Sequence, residues 1–201
     1  MVGQFKLRKQ RKYIMNKDDV KILINNEMEK GVSFAKAIHN VHDELSSKEP
    51  LKLACAKGCG FCCNQIAPSS KIEWDDIEKY IDENNMREML AERSEETITE
   101  WKQYLSDNMP EIMKDNQKPF KDWMGKKPCI FLSDEGSCDI HEVRPMSCRV
   151  VNSTVKCVSM NQPESARFRF EYERPLMEVI WETGPSFTLI DLFSNYLNKG
   201  K

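Results

Sequence analysis

A chain of 201 residues with a formal net charge of −2, 40% hydrophobic and 31% charged, has the composition of one globular domain. That charge balance excludes a protein built to coat nucleic acid, whose phosphate contacts call for a basic excess, so nucleic acid is not expected as a partner. No apolar run approaches the length of a membrane span, and no membrane partner is expected either.

The first fifteen residues carry Lys6, Arg8, Lys9, Arg11 and Lys12 without an acid, the pattern of a basic, disordered arm over residues 1–15. They lack the apolar stretch of a secretory signal, so a cytoplasmic protein is expected. Residues 16–201 read as a single helical domain. Met15 before Asn16 also fits a translation start, and Asn16 is placed to cap a helix from Lys17. Val20, Leu23, Ile24 and Met28 then recur at helical spacing until Gly31. Ser33 caps a second helix whose stripe is Phe34, Ile38, Val41 and Leu45. His39 and His42 on this helix read as solvated or packed surface histidines rather than ligands.

Four of the eight cysteines come next, Cys55, Cys59, Cys62 and Cys63 in CAKGCGFCC. The other four are Cys129, Cys138, Cys148 and Cys157, so two half-sites flank a cysteine-free spacer. Cys59 and Cys62 form a C-x-x-C pair, a tight turn that aims two sulfurs at one ion, with Gly58 and Gly60 supplying backbone freedom. Adjacent side chains diverge, so Cys62 and Cys63 point to two metals, a cluster or one non-ligand cysteine. Disulfides of a secreted domain, buried apolar thiols and a thioredoxin-like redox pair are the rival readings. Without a signal sequence or a β-α-β alternation, and with four cysteines packed among Lys57, Gly58 and Gly60, metal binding is preferred.

Ser70 and Glu73 form a capping-box pattern before Trp74, Ile77 and Ile81. A longer helical pattern runs from Met86 to Leu105, with Pro110 expected to interrupt it. Across Lys71 to Asn116 acids exceed bases by 14 to 6, which reads as a solvated helix surface. Pro119 to Lys127 reads as a loop. Cys129 to Leu132 suits a short strand, Asp134, Glu135 and Gly136 a turn, and the return through Ser137 to Ile140 would bring Cys129 and Cys138 together across a small hairpin. Arg144 and Arg149 read first as partners of structural carboxylates or carbonyls, and second as a site for an anionic substrate. Leu176, Met177, Val179, Ile180 and Trp181 fit one buried helix, broken at Gly184 and Pro185. Ser186 is placed to cap a last helix bearing Leu189, Ile190, Phe193, Tyr196 and Leu197.

The fold expected is therefore mainly α: a single helical domain around an irregular, cysteine-rich metal centre with one small β-hairpin. Cys55, Cys59, Cys62, Cys63, Cys129, Cys138, Cys148 and Cys157 are its candidate metal ligands, and metal ions its expected partners. Eight thiols exceed the four ligands of one tetrahedral ion, so more than one metal atom per chain is expected. Thiolates suit both zinc and iron–sulfur clusters, which leaves the element open.

The two halves together resemble the YkgJ-like CxxCxxCC cysteine-cluster family. The resemblance lies in the cluster from Cys55 to Cys63, in PCIFL at Pro128 to Leu132, in GSCDIHEVRP at Gly136 to Pro145, and in Cys148 and Arg149. The family-like core is residues 54–157. The first gap holds three residues rather than two, and His141 stands where tyrosine is frequent in the family. This resemblance implies a zinc- or iron-chelating domain, with zinc or iron ions as cofactors. It also implies an alternative, because flagellin lysine N-methylase has the same cluster and some members carry the label Fe–S oxidoreductase. That alternative is an iron–sulfur redox or group-transfer, methylase-like enzyme. A zinc-stabilised interaction module is the third class, with the acidic spacer as its surface and no protein partner indicated.

Overall fold

The computed structural model describes residues 15–51, 53–55, 58–157, 167–168 and 170–199. The basic arm expected over 1–15 lies, Met15 apart, outside the described residues. Eight α-helices are present among them: α1 (Lys17–Met28), α2 (Phe34–Ser47), α3 (Lys71–Glu83), α4 (Arg87–Ile112), α5 (Lys118–Trp123), α6 (Met146–Arg149), α7 (Glu173–Trp181) and α8 (Leu189–Asn198). Two short antiparallel pairs complete the fold: β1 (Pro68–Ser70) with β4 (Ser186–Thr188), and β2 (Asn152–Ser153) with β3 (Arg167–Phe168). The expected mainly α single domain is what the chain forms.

The helix starts follow from local hydrogen-bond chemistry. Asn16 accepts from the Asp18 and Asp19 N–H groups at 2.8 and 3.1 Å, and Asp19 accepts the Asn16 N–H at 2.9 Å, a full capping box. Ser33 accepts from the Lys36 N–H at 3.1 Å. Ser70 and Glu73 form the capping box their spacing predicts. Gly31, at φ +83°, supplies the left-handed residue that ends the α1 turn.

Two apolar clusters build the core. One unites α3, α4, α5 and α8 through Trp74, Ile77, Leu90, Trp101, Trp123 and Phe193. The other unites α1, α2, α6 and α7 through Val20, Ile24, Ile38, Met146, Leu176 and Ile180. Each such side chain withdrawn from water contributes about 1.5–3 kcal/mol, so both clusters are substantial. The segments bearing the cysteines run between them: Ile130, Phe131 and Ile140 belong to the first, Met146 and Val150 to the second.

Several local expectations change. Pro110 does not interrupt α4, which continues to Ile112; the helix gives up the backbone bond from residue 110 to the Ser106 carbonyl and ends within the same turn. The loop expected at Pro119 to Lys127 contains α5, because proline near a helix start loses no bond and Trp123 has an aromatic core to enter. The turn at Asp134 to Gly136 forms, but the pairing beside it is a single bridge between Leu132 and Cys138. Residues Ser186 to Thr188 pair with β1, which moves the cap of α8 from Ser186 to Thr188. Trp181, expected in the core, is 52% exposed at the end of α7.

Candidate metal centre

The two cysteine groups meet through the backbone. The Cys129 N–H donates to the Cys63 carbonyl at 2.6 Å, and the Gly125 N–H to the Asn64 carbonyl at 2.7 Å. On the other flank the Ala54 N–H donates to the Ser153 carbonyl at 2.8 Å, and the Ser153 N–H to the Cys55 sulfur at 3.3 Å. The first cysteine loop is thus clasped between the Cys129 and Ser153 segments, on which it has no sequence-local claim.

Two glycines permit that approach for different reasons. Gly58 takes φ +85°, a conformation L side chains rarely adopt. Gly60 needs space instead: a Cβ there would lie 3.1 Å from a Leu132 methyl. Residues Phe61–Asn64 then form a 3-10 turn. It carries both Cys62 and Cys63 into one cavity, with the two side chains close enough for Cys62 to disfavour ionisation of Cys63. The divergence expected of adjacent cysteines is absorbed by this turn.

The cavity, of about 300 Å³, is lined by Cys62, Cys63, Cys129, Cys138 and Cys148, with Arg144 beside them. Cys55, Cys59 and Cys157 do not line it. The thiols of Cys59, Cys62 and Cys157 instead lie close enough to Cys55 to disfavour its ionisation. Five thiols thus line the cavity and three lie outside it, with Cys62 close enough to act on Cys55 as well. All eight are free thiols. Among the described residues, no three histidine, cysteine or carboxylate side chains converge on one ion; the thiols surround a space.

The thiolate form is disfavoured at five of these cysteines. Burial pushes Cys129 up to about 12 and raises Cys148 further. The adjacent Cys62 thiol and then burial raise Cys63, and burial raises Cys138 and Cys55. A soft cation supplies the charge that thiolates need, at the expense of those protons. As a donor set, cysteine sulfur around one cavity fits zinc or iron.

Behind the cavity lies a buried polar network that spacing did not reveal. Glu73, 2% exposed, accepts from the Ser70 N–H at 3.0 Å, the Ser70 hydroxyl at 2.9 Å and the Met146 N–H at 2.7 Å. Its helix cap therefore also holds the start of α6, two residues before Cys148. Arg149 donates to both Asp43 oxygens at 3.0 and 3.2 Å, to the Glu142 carbonyl at 2.6 Å and to the Arg144 carbonyl at 3.1 Å. This is the structural role expected of it. Glu173, fully buried, accepts from Asn152 at 2.6 Å and the Phe170 N–H at 2.8 Å, with the His42 ring 3.4 Å away.

His39 and His42 are thus not surface histidines but 2% and 6% exposed. Burial lowers the His39 pKa against the pull of Glu73, whose carboxylate lies 3.8 Å off. For His42 the bonds to Asp43 and Glu173 outweigh burial and raise it. Neither ring lines the cysteine cavity. His141 is exposed in the turn after Cys138.

This network predicts an acid limb in stability. Burial alone would raise the Asp43 carboxyl, yet the His42 hydrogen bond and the Arg149 guanidinium hold it at about 2; Glu73 is lowered too, the nearby His39 ring and the bonds from the Met146 and Ser70 amides overcoming its burial. A carboxyl depressed in the native state contributes stability above its ordinary pKa and loses it as pH falls through the native one. His42, raised, contributes in the opposite sense, and that contribution is lost only as pH rises through its native pKa. Urea unfolding between pH of about 5 and about 2 is expected to show stability falling steadily, and Asp43→Asn to flatten the slope. A parallel slope in the variant would exclude Asp43 as a source.

A helical domain that encloses five thiols between two apolar cores has the build of a cysteine-cluster protein. The family model CxxCxxCC, described as "Putative zinc- or iron-chelating domain", matches residues 54–171, more than half of the chain; the protein belongs to that family. No curated protein and no solved structure gives a significant match. Among the described residues no helix is long and apolar enough to cross a membrane.

Proposed function

We propose that this protein chelates zinc or iron through thiolates drawn from both cysteine groups, in two neighbouring positions. The observation that carries the reading is the bond from the Cys129 N–H to the Cys63 carbonyl, which joins the groups around one thiol-lined cavity. Cys62, Cys63, Cys129, Cys138 and Cys148 are the inner ligand candidates. Cys55, Cys59 and Cys157 form the outer set, with Cys62 able to serve either. A metal bound there would supply positive charge to stabilise the thiolates and a cross-link between the two cores. The chain's own part is to hold the sulfurs: Glu73 fixes the Met146 amide, and Arg149 fixes the carbonyls of Glu142 and Arg144. Eight free thiols are what a reducing compartment preserves, which supports a cytoplasmic location.

Anaerobic purification followed by elemental analysis, sulfide assay and visible absorption tests this reading. More than one zinc or iron atom per chain is the expected result, with chelation under reducing conditions lowering the melting temperature. Brown protein with acid-labile sulfide would replace simple chelation by the iron–sulfur alternative. One metal atom with several freely titratable cysteines would refute two positions.

A further inference from the structure

Three arginines stand around the second cysteine group, and carboxylates match two of them. Arg93 pairs with Asp139, and Arg149 with Asp43 at 3.0 Å. Arg144 lines the cavity beside Cys62, Cys63, Cys129, Cys138 and Cys148, and among the described residues no carboxylate pairs with it. Its Nε is buried without a hydrogen-bond partner. The Arg149 Nε donates to the Arg144 carbonyl at 3.1 Å, so the backbone that bears this side chain is held in place.

Buried donors in native proteins are nearly always satisfied, and the polar atoms that share the cavity with Arg144 include five sulfurs. Its charge acts on Cys138 and Cys148. A thiol is a weak acceptor, whereas hydrogen bonds to an ionised acceptor are strong. Four thiolates on one divalent cation also leave a net charge of about −2. A wall that includes Ile66, Phe131, Ile140 and Leu189 solvates such a charge poorly. A guanidinium within that wall offsets part of the charge and supplies hydrogen bonds to sulfur that the apolar side chains cannot.

We propose that Arg144 is the counter-charge of the inner metal position: its guanidinium donates to the sulfurs of Cys138 and Cys148 when metal holds them as thiolates, and so sets how tightly that position binds. The proposal rests on the chelating reading and adds to it a residue that itself binds no metal.

Cobalt(II) is the probe, because its thiolate charge-transfer absorption follows the donor strength of the sulfurs, which hydrogen bonds from outside the ligand set tune. Metal-free full-length protein, prepared anaerobically under reducing conditions, is titrated with cobalt(II) and then with zinc in competition with a chelator. The unmodified chain is compared with Arg144→Gln, Arg144→Lys and Arg174→Gln, the last removing the same charge from a side chain that is 80% exposed on α7. Arg144→Gln is expected to weaken binding about 10–100-fold and to move the cobalt–thiolate band to longer wavelength. Arg144→Lys should recover much of both, and Arg174→Gln should leave both unchanged. Thermal unfolding separates this role from one in packing. Without metal, Arg144→Gln should be at least as stable as the unmodified chain, since the unpartnered donor is gone; with metal it should be less stable. Equal affinity and an unmoved band in Arg144→Gln, or an equal loss of stability with and without metal, overturns the proposal. An unmodified chain that gives no cobalt–thiolate band overturns the chelating reading, and the proposal with it. Where Arg144→Gln fails to fold, dicarbonyl modification of the unmodified chain, mapped by mass spectrometry, tests the same pairing. Metal should slow the labelling of Arg144 and leave that of Arg174 unchanged; equal labelling of Arg144 with and without metal overturns the proposal.

Discussion

Glu73→Ala is expected to lower folding stability by about 3 kcal/mol, because it leaves the buried Met146 and Ser70 amides without an acceptor, at about 1–3 kcal/mol for each unsatisfied group. Relief of the carboxylate's desolvation offsets part of that cost. The loss is not that of an ordinary helix cap, which is worth about 1 kcal/mol, since the same carboxylate joins α3 to the turn bearing Cys148. Glu73→Gln keeps one acceptor oxygen and should lose less. The contrasting case is the Lys71–Asp75 pair one turn away, whose side chains are 56% and 59% exposed; removing Lys71 should change stability by less than about 0.5 kcal/mol. Urea unfolding checks all three, with the midpoint moving and the slope constant. A change below about 1 kcal/mol in Glu73→Ala would show that α6 is positioned without it.

Glu73 also shows where the sequence is readable. Its cap role is local, three residues from Ser70, and so are the caps at Asn16 and Ser33; such signals act within one turn and survive into the fold. Its second role spans 73 residues of chain to Met146, and no periodicity records that. The misreading of His39 and His42 has the same origin. An amphipathic stripe places them near its polar edge, whereas Glu73 and Glu173 arrive from two other segments to stand beside the buried rings. The β1–β4 pair was invisible for a related reason, being three residues long and separated by more than a hundred. Proline misled twice, at Pro110 and Pro119, because its cost depends on position in the helix rather than presence. The cysteine groups were legible by spacing alone. Their division into five and three was not, since it depends on a 3-10 turn and on Ser153 binding Cys55.

That division sets the last expected result. Cys62→Ser should remove more metal than any other single cysteine substitution, because Cys62 lines the inner cavity and also lies within electrostatic reach of Cys55. Cys148→Ser should empty the inner position and lower the melting temperature strongly, since the segment bearing it joins one apolar core to the other and metal binding there couples to folding. Cys157→Ser acts on the outer set only and should leave the inner metal bound, with a smaller effect on melting. Elemental analysis of each anaerobically purified variant, paired with thermal unfolding, separates these cases. If Cys148→Ser and Cys157→Ser each strip all the metal, the eight cysteines serve one shared centre and the two-position reading is lost. Retention of all metal in Cys157→Ser and Cys55→Ser alike would confine chelation to the cavity. The clasp at Ser153 would then serve the fold alone, holding the first cysteine loop in place through the Ala54 and Ser153 amides.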